Sequence, residues 1–423
     1  MSSYRSLARN HDFTALWIAA TVSELGTRIT TFALPLVAYA LSGSALWAAA
    51  AEAAYLLGMV VMLLPAGVLA DRYHRLRLMR LSLGAGVVLH ASLVAAGVAG
   101  RLALPHLLAV AVASGLVAGL FLPAENSAIR RVVDRVELPT ALSQQQARQH
   151  IASLLGGPLG GALYGVARWA PFAADAVTYA LSWVLLGRVR TDLSPEPRTA
   201  APGVPGRPLR DLGEGLRFLW GHRFLRIVLC WSPAANLVVN ALFFVSLLRL
   251  VEAGFPAWQI GLAETAIGTF GILGALAAPV LIERCATGAL VVVVAWSFVP
   301  LAVPLALWNH PWSLALASSA GMLLNPAGNA ALGSYRLAIT PPDLVGRMQA
   351  SMQAVSMLTI PLAPALAGAL LTLLGGRDAV LALGALTAAV ALVPTLSRSV
   401  RAVPRPSRWT PLTPPDRSPA HAA

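Results

Sequence analysis

The chain has 423 residues, of which 57% are hydrophobic and only 12% are Asp, Glu, Lys or Arg, about half the charged share usual in soluble domains. That balance excludes a disordered chain and argues against a water-soluble enzyme, and two cysteines without an evident partner, Cys230 and Cys285, exclude a disulfide scaffold. The net charge of +13 comes from arginine alone, so what matters is where along the chain the arginines fall.

A helix crossing a bilayer needs roughly 20 mostly apolar residues. Twelve such runs follow one another, at 15–39, 45–70, 78–100, 104–127, 142–166, 170–188, 224–248, 258–281, 287–307, 312–334, 348–373 and 379–397. The first starts soon after Arg5 and Arg9 and lacks a small-residue cleavage site, so it reads as a retained span. With the N-terminus placed in the cytoplasm, 26 of the 31 arginines fall on the inner side, in the leader, alternate loops and tail. Arg101, Arg168, Arg249 and Arg377 fall outside and Arg28 within a span. This is the asymmetry of the positive-inside rule, and Trp47, Trp169, Trp258, Trp308 and Trp312 sit near outer ends as an interfacial belt.

Between spans six and seven, a proline-rich stretch from Pro195 to Pro208 turns amphipathic. Leu212, Leu216 and Leu219 recur at helical spacing between Arg210, Arg217 and Arg223, which suits a helix lying on the inner membrane face. The expected fold is an all-α membrane protein of twelve transmembrane helices in two six-helix bundles. The bundles are expected at 1–188 and 224–397, joined by a cytoplasmic linker at 189–223 and followed by a disordered basic tail at 398–423.

The halves repeat each other. A shift of 203 residues superposes Pro123, Ala124, Asn126, Pro158 and Gly165 on Pro326, Ala327, Asn329, Pro361 and Gly368, within ten identities over 43 ungapped positions. A shift of 212 brings Glu52, Asp71 and Arg72 onto Glu264, Glu283 and Arg284. Duplicated six-span units related by an axis along the membrane normal are a transporter architecture.

The segment GVLADRYHRLRLM over 67–79, with Gly67, Asp71, Arg72, Arg75 and Arg77 in the loop after span two, resembles the signature of the major facilitator superfamily. FLPA at 121–124, GPLGG at 157–161, PFAADAVTY at 171–179 and GLRFL at 215–219 resemble, within it, the branch of the enterobactin exporter and macrolide-efflux proteins. The resemblance covers most of residues 10–370. It implies alternating access to a central cavity and a latch in which Asp71 and its arginines engage the start of span eleven, with Glu125 completing the network. Gly157, Pro158 and Gly161 resemble the antiporter signature of drug exporters, one residue short after the proline. One position departs from the pattern: many relatives carry an acid after the glycine of span one, where this chain has Thr27, with Glu24 three residues earlier.

Glu24 and Arg28 share one face of span one at i, i+4. At ~1.5 Å per residue, Glu24 lies about 13 Å from the inner end of its span, near the midplane. A lone charge there costs roughly 2.5–3.5 kcal/mol. The two are either a structural ion pair or a proton-coupling site, and Glu24 is the first candidate for the latter. Glu52, about 28 Å along its helix from Asp71, and its repeat mate Glu264 either line the outer gate or snorkel to the surface. Asn236, Asn240, Asn325 and Asn329 either bond a substrate in the cavity or bond neighbouring helices. Asp175 reads as a packing residue of span six, and His90, alone in span three, as a packed side chain. No metal site, redox chemistry or cofactor is indicated. A lipid-acting membrane enzyme would need clustered His, Asp or Ser at one depth, and nucleic-acid binding a folded basic module; neither is present. The expected function is a secondary active transporter in a bacterial plasma membrane, both termini cytoplasmic and the chain monomeric. It would export a small amphipathic molecule, a drug, siderophore or secondary metabolite, as a proton antiporter. Import or facilitated passage of a small metabolite is the other reading.

Overall fold

The computed structural model describes residues 7, 9–134, 137–194, 208–342 and 344–409, without the side chains of Leu64, Val68, Asp71, Pro139 and residues 208–211. In the first half the spans are α1 (His11–Ser42), α2 (Ala45–Arg72), α3 (Arg75–Val98), α4 (Leu104–Val132), α5 (Leu138–Val166) and α6 (Ala170–Leu186). A linker helix, α7 (Pro208–Gly221), leads to α8 (Arg223–Glu252) and α9 (Ala257–Arg284). Span nine is divided into α10 (Thr287–Ser297) and α11 (Ala302–Leu307), span ten is α12 (Pro311–Ile339), span eleven is divided into α13 (Val345–Thr359) and α14 (Leu362–Leu374), and span twelve is α15 (Gly376–Leu396). Together these are the twelve membrane helices of a two-bundle fold.

The breaks have a local cause. Pro300 and Pro304 deprive span nine of backbone donors where α10 gives way to α11, and Pro361 does the same at the junction of α13 and α14. Its repeat mate Pro158 lies inside the unbroken α5. The short α1–α2 link turns on Gly43 at φ 65°, a left-handed conformation that glycine adopts without Cβ strain.

By length and hydropathy alone, eight helices qualify as spans, with α6 a shorter apolar helix. The three others, α1, α5 and α12, carry Glu24 and Arg28, the glutamines 144–146 and Gln149, and Asn325 and Asn329. Polar spans of this kind belong where protein or a wet cavity shields them from lipid. α1 accordingly packs against α2, α4, α5 and α6, whereas α3 leaves Leu81 and Val88 exposed.

The halves meet along two seams, α5 against α9 and α2 against α14. These are the same contact twice, since the repeat maps α2 onto α9 and α5 onto the α13–α14 span. Both seams use small residues. Gly157 backs onto Gly261, Gly161 onto Ala257 and Trp258, and Gly368 onto Ala49. Such pairs let helix backbones approach closely, and Thr265 Oγ1 donates across the first seam to Leu154 O at 2.8 Å. All of these residues lie towards the arginine-poor ends of their helices. There one apolar cluster joins Phe32, Leu36, Ala45 and Ala48 of the first half to the second. At the arginine-rich ends, the clusters among the described residues stay within one half.

The arginine-rich ends are held within each half instead. Asp12 accepts from Arg190 N at 3.1 Å and from Thr191 N at 2.7 Å, and Thr191 Oγ1 also donates to it, tying the exit of α6 to the start of α1. Burial raises the Asp12 carboxyl, but the bonds from Thr191, His11 and Arg190 outweigh it and hold the group at about 2. In the second half α7 docks on α13 through Ser351 Oγ, which donates to Leu212 O at 3.0 Å, and an Arg347–Glu214 ion pair at 3.0 Å. The expectation of a disordered tail from 398 gives way over 398–409. Val400 and Val403 are buried, Gly288 N donates to Val403 O at 3.1 Å, and the Trp409 ring lies 5.4 Å from that of Tyr335. The apolar side chains among these arginines gave the segment something to bury; its remaining residues, 410–423, lie outside the described ones.

Two outcomes follow from this packing. Gly157→Leu places a side chain against the Gly261 backbone only when the seam is shut. An overpacking cost of about 1–3 kcal/mol shifts the closed-to-open population roughly 5- to 150-fold. A maleimide probe at Gly268→Cys, with both native cysteines replaced, should react correspondingly faster; an unchanged rate would show that the seam tolerates the bulk. Asp12→Ala should cost about 1–3 kcal/mol of stability for its orphaned donors. Because folding lowers this carboxyl from 3.8 to about 2, the pH-dependent part of its contribution is full above the unfolded value and is lost as pH falls through the folded one. Melting in detergent should therefore separate variant from parent most near neutrality; a gap that is widest in acid would contradict the assignment.

Candidate functional site: the cavity between the halves

Closed at one end and, among the described residues, unsealed at the other, the halves leave a cavity of three lobes that share Glu52 in their walls. The first, of about 280 Å³, runs along the first half beside Glu24, Arg28, Phe121 and Glu125. The second, about 470 Å³, is bounded by Leu56, Asn236, Asn240, Phe244, Gln353 and Met357. The third, about 190 Å³, reaches the α5–α9 seam between Arg28 and Glu264. Glu52 lines all three.

Helical spacing builds the charged wall. Arg28 Nε donates to Glu24 Oε1 at 2.9 Å, one turn apart on α1, with the arginine 44% exposed to the cavity. Glu52, from α2, turns inward rather than snorkelling, and its Oε2 is shielded from solvent with no hydrogen-bond partner among the described residues. Glu264, its repeat mate on α9, lies beside Gly157 in the lobe that also holds Arg28 and Glu52. The glycines of α5 leave the room these side chains occupy. Three carboxylates thus face one guanidinium across the junction of the halves.

The asparagines fall into two places. Asn236 and Asn240 line the largest lobe, while Asn325 and Asn329 line a smaller crevice of about 60 Å³ with Asn236. Their amides bond within their own helices, Asn236 Nδ2 to Ser232 O, Asn240 Nδ2 to Asn236 O and Asn329 Nδ2 to Asn325 Oδ1. Bonding to neighbouring helices through these amides is therefore not what the structure has.

At the arginine-rich end of the first lobe Glu125 meets Arg148 at 2.8 Å, both almost fully buried. Arg148, counted among the loop arginines in the sequence, is a helix-interior residue of α5, and it takes Glu125 away from the expected network with the loop after α2. In that loop Arg72 and Arg77 are exposed, Arg75 Nη1 donates to Ser194 O at 3.2 Å, and His74 faces Asp192 at 3.3 Å. These bonds stay within the first half. The latch residue Asp71 itself falls outside the described side chains, and a Cβ on Gly67 would meet nothing. Arg249, placed outside by the sequence reading, is buried in α8 and donates to Leu305 O and Ala306 O at the end of α11, satisfying carbonyls that the helix leaves unpaired.

His90 is not alone. Its Nε2 lies 3.4 Å from Asp175 Oδ2, both side chains buried, and its Nδ1 lies 2.9 Å from Gly86 O. A carbonyl only accepts, so Nδ1 is the donor there and Nε2 is turned to the carboxylate. Tyr179, edge-on to His90, links this pair to the cavity wall through its hydroxyl 2.9 Å from Thr27 Oγ1. Among the described residues no group of three or more His, Cys, Asp or Glu is placed to hold a metal ion.

The fold has counterparts among solved transporters. The nucleoside transporter NupG superposes with TM-score 0.71 at 11% identity, covering 90% of this chain and 98% of that one. A bacterial homologue of the human lysosomal transporter Spinster, inward-facing and unoccupied, superposes at 0.68 and 15% identity, covering 95% and 99%. A bacterial homologue of the iron transporter ferroportin, also inward-facing, gives 0.66 and 17%, covering 92% and 98%. No curated protein sequence matches the chain. Residues 16–334 match the Major Facilitator Superfamily, so the chain belongs to that family and is an integral membrane transporter rather than an enzyme.

Proposed function

We propose that the chain exports a small amphipathic molecule from a bacterial cell by alternating access, in exchange for protons, with Glu24 as the carboxylate that loads and releases them. The observation that carries this reading is the Glu24–Arg28 pair in the wall of a cavity sealed at one end only. Setting the arginine-rich ends in the cytoplasm, the seams close the outer side and the cavity faces inward, with both termini in the cytoplasm. Export is favoured over import by the resemblance to the enterobactin-exporter and macrolide-efflux branch and by the small-residue seam around Gly157, Pro158 and Gly161.

The cycle follows from electrostatics. In the inward state Arg28 holds Glu24 as its counter-ion and the proton is released to the cytoplasm. After the halves rock about the seams, the outer side supplies a proton, Glu24 loses its charge and its hold on Arg28, and the return becomes possible. Gly67, Asp71, Arg72, Arg75 and Arg77 act as the inner latch of the opposite state, when the arginine-rich ends meet. Glu52 and Glu264 act at the outer gate, and Asn236, Asn240, Asn325 and Asn329 offer hydrogen bonds to the passenger. Gly157, Pro158, Gly161 and Asp175 keep the helices that move in register.

Glu24→Gln should fold and insert yet lose proton-driven efflux by about tenfold or more, while substrate exchange without a gradient survives. Efflux from proteoliposomes equal to that of the parent would remove Glu24 from the coupling role. Topology is tested separately: Arg217→Cys, with Cys230 and Cys285 replaced by serine, should react with an impermeant maleimide in everted vesicles. Reaction in intact cells would invert the orientation.

A further inference from the structure

The charges around Glu52 do not balance. Arg28 is engaged by Glu24 at 2.9 Å through Nε, and the lobe it shares with Glu52 and Glu264 contains no other cation among the described residues. A carboxylate oxygen of Glu52 is shielded and, among the described residues, without a partner, a costly arrangement for an ionised group. The ionisable groups that face it are Tyr55 on its own helix, Glu24 and Arg28 on α1 and Glu264 on α9. Glu125 lies farther along the first lobe and is neutralised by Arg148. α8 and α13 present only uncharged groups there, Asn236, Asn240 and Gln353 among Phe244, Met357 and Ile360.

Resting on the alternating-access reading above, we propose that this cavity takes an amphipathic organic cation, whose charged head sits between Glu52 and Glu264 and whose apolar body fills the lobe of about 470 Å³. The cation supplies the counter-charge that the two carboxylates lack. An anion of the same shape meets an excess of acid and is refused. Phe244 and Leu56 line the way from the acids into the apolar lobe, and an aromatic face there suits a cationic head. A proton on either carboxylate and the passenger's charge therefore compete for this pair, apart from the coupling proton on Glu24. Glu52 and Glu264 stand on opposite halves, and a cation between them bridges the seam.

The probe is radiolabelled tetraphenylphosphonium, bound at equilibrium to the purified full-length chain in detergent at about pH 7.5 and about pH 5.5. Binding should be about tenfold or more weaker at the lower pH, where protons hold the carboxylates. Glu52→Gln should weaken binding about tenfold and flatten the pH dependence, Glu264→Gln should weaken it and leave part of that dependence, and Glu52→Asp should restore part of the affinity. Tetraphenylborate, its anionic match in shape, should fail to compete. Equal binding at both pH values, parental binding by folded Glu52→Gln, or displacement by tetraphenylborate would each overturn the proposal. No gradient is present in this assay, so a chain that preferred tetraphenylborate would still stand as a proton-driven exporter. Failure of coupling in Glu24→Gln vesicles, conversely, would leave a cation site intact.

Discussion

A side chain that carries charge inside a bilayer must find a partner or water, and this constraint organises the molecule. The hydrocarbon layer offers no hydrogen bonds, so ionised groups gather where protein shields them. Glu24 with Arg28, Glu125 with Arg148 and His90 with Asp175 are three solutions at different depths of the first half. The first faces the cavity, the second lies at the arginine-rich end of its first lobe, and the third is sealed between α3 and α6. Only the first exposes its guanidinium to the cavity; the other two pairs are buried within the first half.

The same constraint explains which spans look least like membrane helices. α1, α5 and α12 are too polar to pass as spans by hydropathy, and two of them supply the charged wall and one seam. Polarity here marks proximity to the axis between the halves. The seams then need close backbone approach, which explains glycine and alanine at positions 157, 161, 261, 368 and 49. Small residues make contacts that are dispersive and without directional bonds, Thr265 to Leu154 excepted. Contacts of that kind are separable at modest cost, as a gate requires.

The spans, their number and the duplication were legible because each is a local or periodic property: apolar runs, alternate arginine-rich loops and a constant offset. Helix ends were legible to within a few residues, but the breaks at Ser297 and Thr359 were not, since proline at 158 is absorbed and its mate at 361 is not. The pairs were hidden by distance along the chain. His90 and Asp175 are 85 positions apart, and nothing in either neighbourhood names the other. Arg148 counts with the cytoplasmic arginines at the inner end of span five, and only burial against Glu125 reveals it as interior. Glu52 was placed by counting residues up its helix, which measures depth and not direction. Depth alone leaves the outer gate and the membrane surface as equal choices.

Duplication gives two acids at equivalent positions, but the folded chain treats them differently. Glu52 stands at the meeting of all three lobes, while Glu264 is confined to the one against α5, beside Gly157. Arg28 has no counterpart in the repeat: the acids were duplicated and their counter-ion was not. The single arginine, carried on a helix of one half, makes the closed seam electrically lopsided. In the proposed cycle, charge that enters or leaves the pocket shifts the equilibrium between the orientations by as much as its affinity differs between them.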